Sequence, residues 1–430
     1  MPITAQVSKP RLPIISICAA LLAIVAAVSI AQRLHGVRNR YNEVDFVRDY
    51  GWWTIYSSGG DPWIVTANRS ELRPGLDRPR FCNYTPVFVE VFSPLARLDQ
   101  KTAFWLWLSA QILCVGVAVL MLARGNDPPL SSAATVIVLS LVVLSRPFEG
   151  MLAYAHVTPM LLALLSASWF CARRERPAFA GLCLALAALL KLYPAAAGGY
   201  FLFGRRWRAL SWTIGFFVAG VLLTNPARWI DLMTVEMPVS YRFVAEADLT
   251  VMTFVRKAVA HFTGTTTIAA PLFTVLAITA LIDLVLLAVA AMATITSRGR
   301  DDLDGLVFGM WLALSLLMSP LAWMAEMLLL LPAYLFGTLV AWQGLQQHDV
   351  SRRHVMLNAG AAILTACIVT ALIKAVPHPG FWAVLGAYIS AALIVRARTQ
   401  SDLPRDEPGK IVGQGLRQGA GNSPVSIQRT

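Results

Sequence analysis

The sequence predicts an all-α protein, built as a polytopic bundle of transmembrane helices. Hydrophobic residues make up 57% of the 430 residues and charged residues only 14%, far below the roughly 25% charged of soluble domains. Apolar runs at residues 14–30, 210–224 and 271–295 approach or reach the ~20 residues needed to cross a bilayer. A soluble fold cannot bury this much apolar surface, so these runs are predicted to be membrane spans.

The positive charge of the chain follows the same pattern. The formal net charge is +12, and Lys and Arg cluster in short segments between apolar runs, where the positive-inside rule places them. Membrane topology therefore explains the charge, and no nucleic-acid partner is predicted. No CxxC pair, Walker motif, GxGxxG or HExxH is present, so the sequence predicts neither a metal site nor a cofactor.

Threading the chain through a membrane, with the N-terminus inside, gives about twelve spans and places both termini in the cytoplasm. The first span is expected to be a retained anchor rather than a signal peptide, because residues 31–33 form a poor cleavage site. Residues 35–100 and 225–267 become large external loops. Residues 1–398 form the membrane domain, and residues 399–430 are predicted to be a disordered cytoplasmic tail.

The apolar run at residues 177–203 interrupts this alternation. A single crossing would place Arg205, Arg206 and Arg208 outside, against the charge rule. Residues 191–194, Lys-Leu-Tyr-Pro, are therefore predicted to turn the chain between two short helices, since proline breaks a helix. Each arm is short for a membrane about 30 Å thick, so the turn should lie in a protein-lined cavity rather than in lipid.

The first external segment combines aromatic and ionisable residues, a mixture that suits a sugar. Asp61 lies near Trp52, Trp53 and Trp63; aromatic faces stack on pyranose rings, while carboxylates accept hydrogen bonds or a proton. An aromatic belt at the membrane interface is the alternative interpretation. Asp45, which closely follows the first span, is the candidate base, or else a solvated acid at the start of a helix.

A lysine inside an apolar run is costly, and by default it is a candidate functional residue. Lys191 is expected to bind an anion such as a lipid phosphate or pyrophosphate, together with His156 and Arg256 from other external edges. The alternatives are a side chain that snorkels to the interface, or one that pairs with a carboxylate such as Glu149. A transporter would instead use Lys191 and the intramembrane Asp283 along a substrate pathway.

Four short motifs together resemble a known family. They are Asp45-Phe46, Gly60-Asp61-Pro62-Trp63, Phe81-Cys82-Asn83-Tyr84-Thr85-Pro86 and Lys191-Leu192-Tyr193-Pro194. Their order resembles that of the polyprenyl-phosphate-mannose-dependent alpha-(1,2)-mannosyltransferase-like family of integral membrane GT-C glycosyltransferases, formerly grouped as a domain of unknown function. The resemblance covers roughly residues 45–332.

This resemblance implies an enzyme of the bacterial plasma membrane, active on its external side. It would move mannose, with inversion, from a polyprenyl phosphate to a hydroxyl of a glycolipid or polysaccharide. Asp45 would be the general base. The departing phosphate would be held by Lys191, Arg256 and His156. Further substrate contacts would come from Asp61, Tyr84, Trp323 and Glu326.

The chain departs from the family pattern near the expected donor contacts. Residues 155–158 and 248–250 replace segments typical of the family, and residues 324–326, Met-Ala-Glu, stand where related sequences place one or two histidines. The donor sugar therefore stays open among mannose, arabinose, glucose and galactose. A lipid or polyol transporter or flippase, and an inactive scaffold, remain alternatives, although the sequence shows no internal repeat typical of transporters.

Overall fold

The structure is a computed structural model, and in the part of the chain that it describes all regular secondary structure is helical. It describes residues 12–38, 45–63, 84–236, 250–266, 271–319, 322, 324–345, 360–361, 365 and 379–400. Within these ranges there is no strand, which confirms the all-α prediction. The helices are α1 Leu12–Val37, α2 Asp45–Ser57, α3 Pro86–Phe92, α4 Gln100–Gly125, α5 Ser132–Leu144, α6 Arg146–Tyr154, α7 Thr158–Arg173, α8 Pro177–Leu190, α9 Gly198–Phe203, α10 Trp207–Leu223, α11 Pro226–Asp231, α12 Val251–Thr263, α13 Leu272–Thr296, α14 Asp301–Leu317, α15 Leu331–Leu345 and α16 Pro379–Gln400. Short 3-10 segments occupy Ser93–Arg97, Tyr193–Ala197 and Met324–Leu330.

Several of these helices have the length and composition of membrane spans. Among the described residues, five are long and apolar enough to cross a membrane, or up to seven if each of two bent helix pairs is one span. The chain is therefore a helical, multi-pass membrane protein. The count of twelve stays a prediction, and the predicted crossing at residues 355–373 lies mostly outside the described residues, as do residues 401–430 of the predicted tail.

Helix α14 forms the centre of the bundle. Every side chain from Gly305 to Leu317 is buried, as expected of a helix that is apolar all round. Gly309 permits close contact with α15, because a Cβ at this position would stand 2.6 Å from the Cα of Ala333. Helices α15 and α16 pack against α14, and so does the 3-10 segment at Tyr193–Ala197.

The apolar run at residues 177–203 turns back on itself, as predicted. Near the start of α8, a Cβ at Gly181 would stand 2.7 Å from backbone atoms of Ala209 and Thr213 in α10; near its end, Leu189 contacts Gly220 of α10. Helices α8 and α10 therefore run parallel. The chain between them must return to the end from which α8 started, and it does so after the helix breaks at Lys191.

Both arginine clusters consequently lie at the same end of the bundle. Asp304, in the first turn of α14, accepts hydrogen bonds from Tyr200 Oη at 2.9 Å and from Trp169 Nε1 at 3.1 Å. Asp304 also forms an ion pair with Arg206 and lies 3.7 Å from Nη1 of Arg173. Because Arg173 precedes the turn and Arg206 follows it, one carboxylate joins the two clusters.

Aromatic residues of the first segment predicted to be external form a core. The side chains of Trp53 and Trp63 are fully buried at 0% exposure. The Trp53 ring lies 5.4 Å from that of Trp107, edge-on, and 6.0 Å from that of Phe88. Neither interpretation of the sequence, a sugar-stacking surface or an interfacial belt, therefore fits these two tryptophans. Composition does not reveal that α2, α3 and α4 supply aromatic partners for each other.

Candidate active site

Lys191 lies where α8 ends, inside the protein. Its side chain is 6% exposed and forms an ion pair with Glu326, whose side chain is 0% exposed. The ammonium also faces two aromatic rings, Tyr84 with its centroid at 5.5 Å and Tyr193 at 5.3 Å, within the range of a cation–π contact. A buried lysine is thus stabilised by one carboxylate and by the faces of two rings.

The carboxylate that pairs with Lys191 is not Glu149, the example considered from the sequence. The side chain of Glu149 is 59% exposed on α6 and lies 3.6 Å from Arg33 of α1. The Glu326 carboxylate is 135 residues from Lys191 along the chain. It reaches the lysine because the 3-10 segment that carries it packs against α6, α7 and α14.

The break in α8 is joined to the first segment that the sequence predicts to be external. Thr85 donates a buried hydrogen bond to the carbonyl oxygen of Leu189, one of the carbonyls that a helix leaves without an internal partner at its end. The neighbouring Tyr84 stacks on Phe88 of α3 with ring centroids 4.1 Å apart. These contacts explain why Tyr84 lies beside Lys191, as the sequence-based site requires.

His156 approaches from the connection between α6 and α7. Ala155 adopts a left-handed backbone with φ 50°, and Trp107 Nε1 donates to its carbonyl oxygen at 2.7 Å. His156 is 5% exposed, and its Nδ1 lies 2.7 Å from Oγ1 of Thr158. Burial lowers the pKa of His156 well below its ordinary 6.5, and the charges of Lys191 and Arg48 lower it further. His156 is therefore a neutral hydrogen-bonding group rather than a cation.

Arg48 and Asp49 are two residues of the site that are not among those predicted from the sequence. Nε and Nη2 of Arg48 each lie 3.2 Å from Oδ1 of Asp49, which is 1% exposed. The Arg48 guanidinium lies 4.8 Å from the ring of Trp52, and that ring meets the Tyr84 ring edge-on at 5.9 Å. Their spacing in the sequence could have indicated this, because residues 45, 48, 49 and 52 share one face of a helix.

Five separate parts of the chain thus meet around one buried lysine. They are α2, the two residues before α3, the connection between α6 and α7, the break after α8, and the 3-10 segment after α14. We call the residues that meet there the Lys191 cluster, namely Arg48, Asp49, Tyr84, His156, Lys191, Tyr193 and Glu326.

The other predicted site residues lie at varied positions. Asp45 is the first residue of α2, one turn before Asp49; its side chain is outside the described part of the structure, as is the whole of Trp323. Oδ1 of Asp61 accepts from the backbone N–H of Trp63 at 2.9 Å, and Trp63 Nε1 donates to the Tyr84 carbonyl at 3.2 Å. Asp61 therefore lies beside the cluster.

Arg256 lies on α12 and is 2% exposed. This helix packs against α13, and the ring of its Phe254 stacks on that of Phe381 in α16 with centroids 4.7 Å apart. The predicted role of Arg256 in binding phosphate stays a prediction. The ion pair and the ring contacts place Lys191, another cation predicted for the phosphate, in the cluster.

Comparison with protein families decides the class of the protein. A family model described as glycosyltransferase family 87 matches residues 81–320, more than half of the chain. The chain belongs to glycosyltransferase family 87. Comparisons with curated proteins and with solved structures give no match. The resemblance found in the sequence is thereby confirmed at the level of the family, and the chain is a membrane-embedded glycosyltransferase with a sugar donor and an acceptor. The matched range of this glycosyltransferase contains Tyr84, His156 and Lys191.

Proposed function

We propose that this glycosyltransferase moves a sugar, with mannose as the first candidate, from a polyprenyl phosphate to a hydroxyl of a glycolipid or polysaccharide. The Lys191 cluster is the observation that supports this. A buried ammonium at a break in an apolar helical run, beside a tyrosine face and a neutral histidine, suits a phosphate group held near apolar surface. A lipid-linked donor brings both the phosphate and the apolar chain.

The proposed chemistry is a single displacement at the anomeric carbon. Asp45 takes the proton of the acceptor hydroxyl while its oxygen forms a bond to C1 of the sugar, and the bond from C1 to the phosphate oxygen breaks, which inverts the configuration. The leaving phosphate gains negative charge during this step. Lys191 and Arg48 supply positive charge to stabilise it. The position of Asp45, one turn before Arg48 and Asp49 on α2, supports its assignment as the base.

The arrangement of charges supports a site that faces away from the cytoplasm. The arginines at residues 173–176 and 205–208 share one end of the bundle with Asp304, and the positive-inside rule assigns that end to the cytoplasm. Lys191 follows α8, whose 14 residues span about 21 Å. The cluster thus lies toward the outer side of a bacterial plasma membrane, in a bundle for which we retain the prediction of twelve spans.

Transfer of radiolabelled sugar tests the proposal. Membranes containing the wild type, Asp45→Asn or Lys191→Met are supplied with polyprenyl-phosphate-mannose, and label is followed into glycolipid. We expect Asp45→Asn to lose about 10²- to 10⁴-fold of the rate and Lys191→Met about 10²-fold. The matched controls are Asp99→Asn, which keeps the N-cap of α4, and Lys101→Met at an exposed position; both should keep full transfer.

Each result has a separate meaning. Full transfer by Asp45→Asn at normal expression would show that Asp45 is not the base. If the wild type transfers nothing from this donor, mannose is the wrong sugar, and a panel of other polyprenyl-phosphate sugars is then tested. Failure of the whole panel would overturn the assignment of a polyprenyl phosphate donor.

A further inference from the structure

The ion pair between Lys191 and Glu326 bears on which donors the site accepts. Both side chains are almost fully enclosed, at 6% and 0% exposure, so water screens the pair only weakly. A phosphate that approaches Lys191 must share the ammonium with the carboxylate or displace it. The ammonium has three N–H donors, which makes sharing feasible, but the carboxylate then faces a second anion at short range.

Arg48, the second cation described in the cluster, also has a buried carboxylate as its partner. Arg48 lies 3.2 Å from Oδ1 of Asp49, whose side chain is 1% exposed. His156 adds no charge because it is neutral. Each cation described in the cluster therefore already has a carboxylate partner, and the cluster offers a hydrogen-bonding site for an anion without a large excess of positive charge.

We propose that Glu326 is a specificity-determining residue, whose carboxylate limits the site to donors that carry one phosphate and disfavours donors linked through a diphosphate. The inference rests on the proposed function, since it assumes that the donor phosphate binds at Lys191. A sugar linked through one phosphate brings one negative charge, whereas a diphosphate link brings two. The second charge adds repulsion from the Glu326 carboxylate, while the two described cations of the cluster, Lys191 and Arg48, already pair with carboxylates.

Binding measurements without acceptor test this inference on the full-length protein in nanodiscs. The two probes share a short polyprenyl chain and mannose, and differ only in a phosphate or diphosphate link. We expect the wild type to bind the monophosphate probe at least about tenfold more tightly, a factor that corresponds to one like-charge contact. Glu326→Gln keeps the shape and a hydrogen-bond acceptor for Lys191 but removes the charge. It should bind both probes more tightly and reduce the preference to about threefold or less.

The control for this substitution is Glu149→Gln, the same chemical change at an exposed carboxylate that pairs with Arg33. It should keep the wild-type preference. Equal binding of the two probes by the wild type would overturn the inference without any variant, so the test does not depend on the folding of Glu326→Gln. A wild-type preference that is unchanged in a folded Glu326→Gln would overturn it as well.

The failure of this inference can be told apart from failure of the proposed function. Lys191→Met should weaken binding of the monophosphate probe by at least about tenfold, because a charge-assisted hydrogen bond is lost. If Lys191→Met binds as the wild type does, the phosphate site itself is wrongly placed. If only the Glu326→Gln result fails, the phosphate site stands and Glu326 has no role in selecting the donor.

Discussion

Replacing Asp304 with asparagine removes the charge that joins the two arginine clusters. The side chains involved are 12% exposed for Asp304, 15% for Arg173 and 30% for Arg206. Removing one partner of a buried pair costs about 3–5 kcal/mol, but Arg206 reaches solvent, and asparagine still accepts hydrogen bonds from Tyr200 and Trp169. We therefore expect Asp304→Asn to lower the free energy of unfolding by about 2–3 kcal/mol.

Thermal unfolding of the purified protein in detergent measures this loss. At roughly 2–4 °C per kcal/mol, the midpoint of Asp304→Asn should fall by about 4–12 °C. The control is Asp302→Asn in the same helical turn, because Asp302 is 40% exposed and lies 3.3 Å from Arg300. A solvent-exposed pair contributes about 0–1 kcal/mol, so its midpoint should move little. Equal midpoints for the two variants would refute the assignment of Asp304 as the residue that holds both clusters at one end.

Three further predictions concern the Lys191 cluster. Lys191→Met should lower the melting midpoint in the same assay, because it leaves Glu326 buried without its cation. Adding Glu326→Gln should restore most of the midpoint but not the transfer rate. A double variant no more stable than the single one would contradict the ion pair between Lys191 and Glu326. Arg48→Gln should weaken binding of the donor about tenfold, as measured by titration. Arg97→Gln, at an exposed position, should leave binding of the donor unchanged. Equal effects of the two substitutions would show that Arg48 is not part of the site. The pKa of His156 is near 6.5 in the unfolded chain and well below that value in the native state. The contribution of the neutral His156 to the free energy of unfolding is therefore complete above about pH 6.5. It declines as the pH falls toward the lowered native pKa. Urea titrations from pH 7.5 to 5 should show this decline in the wild type and a smaller one in His156→Gln, and parallel profiles would contradict a buried neutral histidine.

The sequence predicts the helical class and the break at Lys191 because both follow from local rules. Long apolar runs have few alternatives to membrane helices, and a lysine followed by proline inside such a run is expensive unless the chain turns there. The two arginine clusters supplied an independent constraint through the positive-inside rule. The parallel packing of α8 and α10 agrees with that constraint.

The partners of Lys191 could not be predicted in the same way. Glu326 lies 135 residues away, and its carboxylate reaches the lysine only through the packing of a 3-10 segment against three helices. One sequence contains no measure of such distant contacts. The sequence did mark Glu326 as a substrate-binding candidate, but it gave no reason to pair it with Lys191 rather than with the acceptor.

The buried aromatics were misassigned for a related reason. Tryptophan beside aspartate is equally compatible with a sugar site, an interfacial belt and a core, and only the packing partners decide among them. Trp53 finds those partners in Phe88 and Trp107, from two other helices. Helix length is a poor guide as well, since α8 has only 14 residues and yet packs along both α7 and α10.

These two results, the misassigned aromatics and the distant ion pair, describe one physical arrangement. The proposed base lies on α2, a helix outside the apolar runs, whereas Lys191 lies within one, so the site requires a rigid connection between them. Buried contacts provide it: the Arg48 guanidinium packs on Trp52, Trp52 meets Tyr84, and the Tyr84 ring faces the Lys191 ammonium. Transfer of a sugar needs the base and the phosphate site held at a fixed separation, because a displacement of about 1 Å costs on the order of 10²-fold in rate. In the proposed site these aromatic contacts join the helix of the base to the buried lysine, and most of the rings need not touch the sugar to do so.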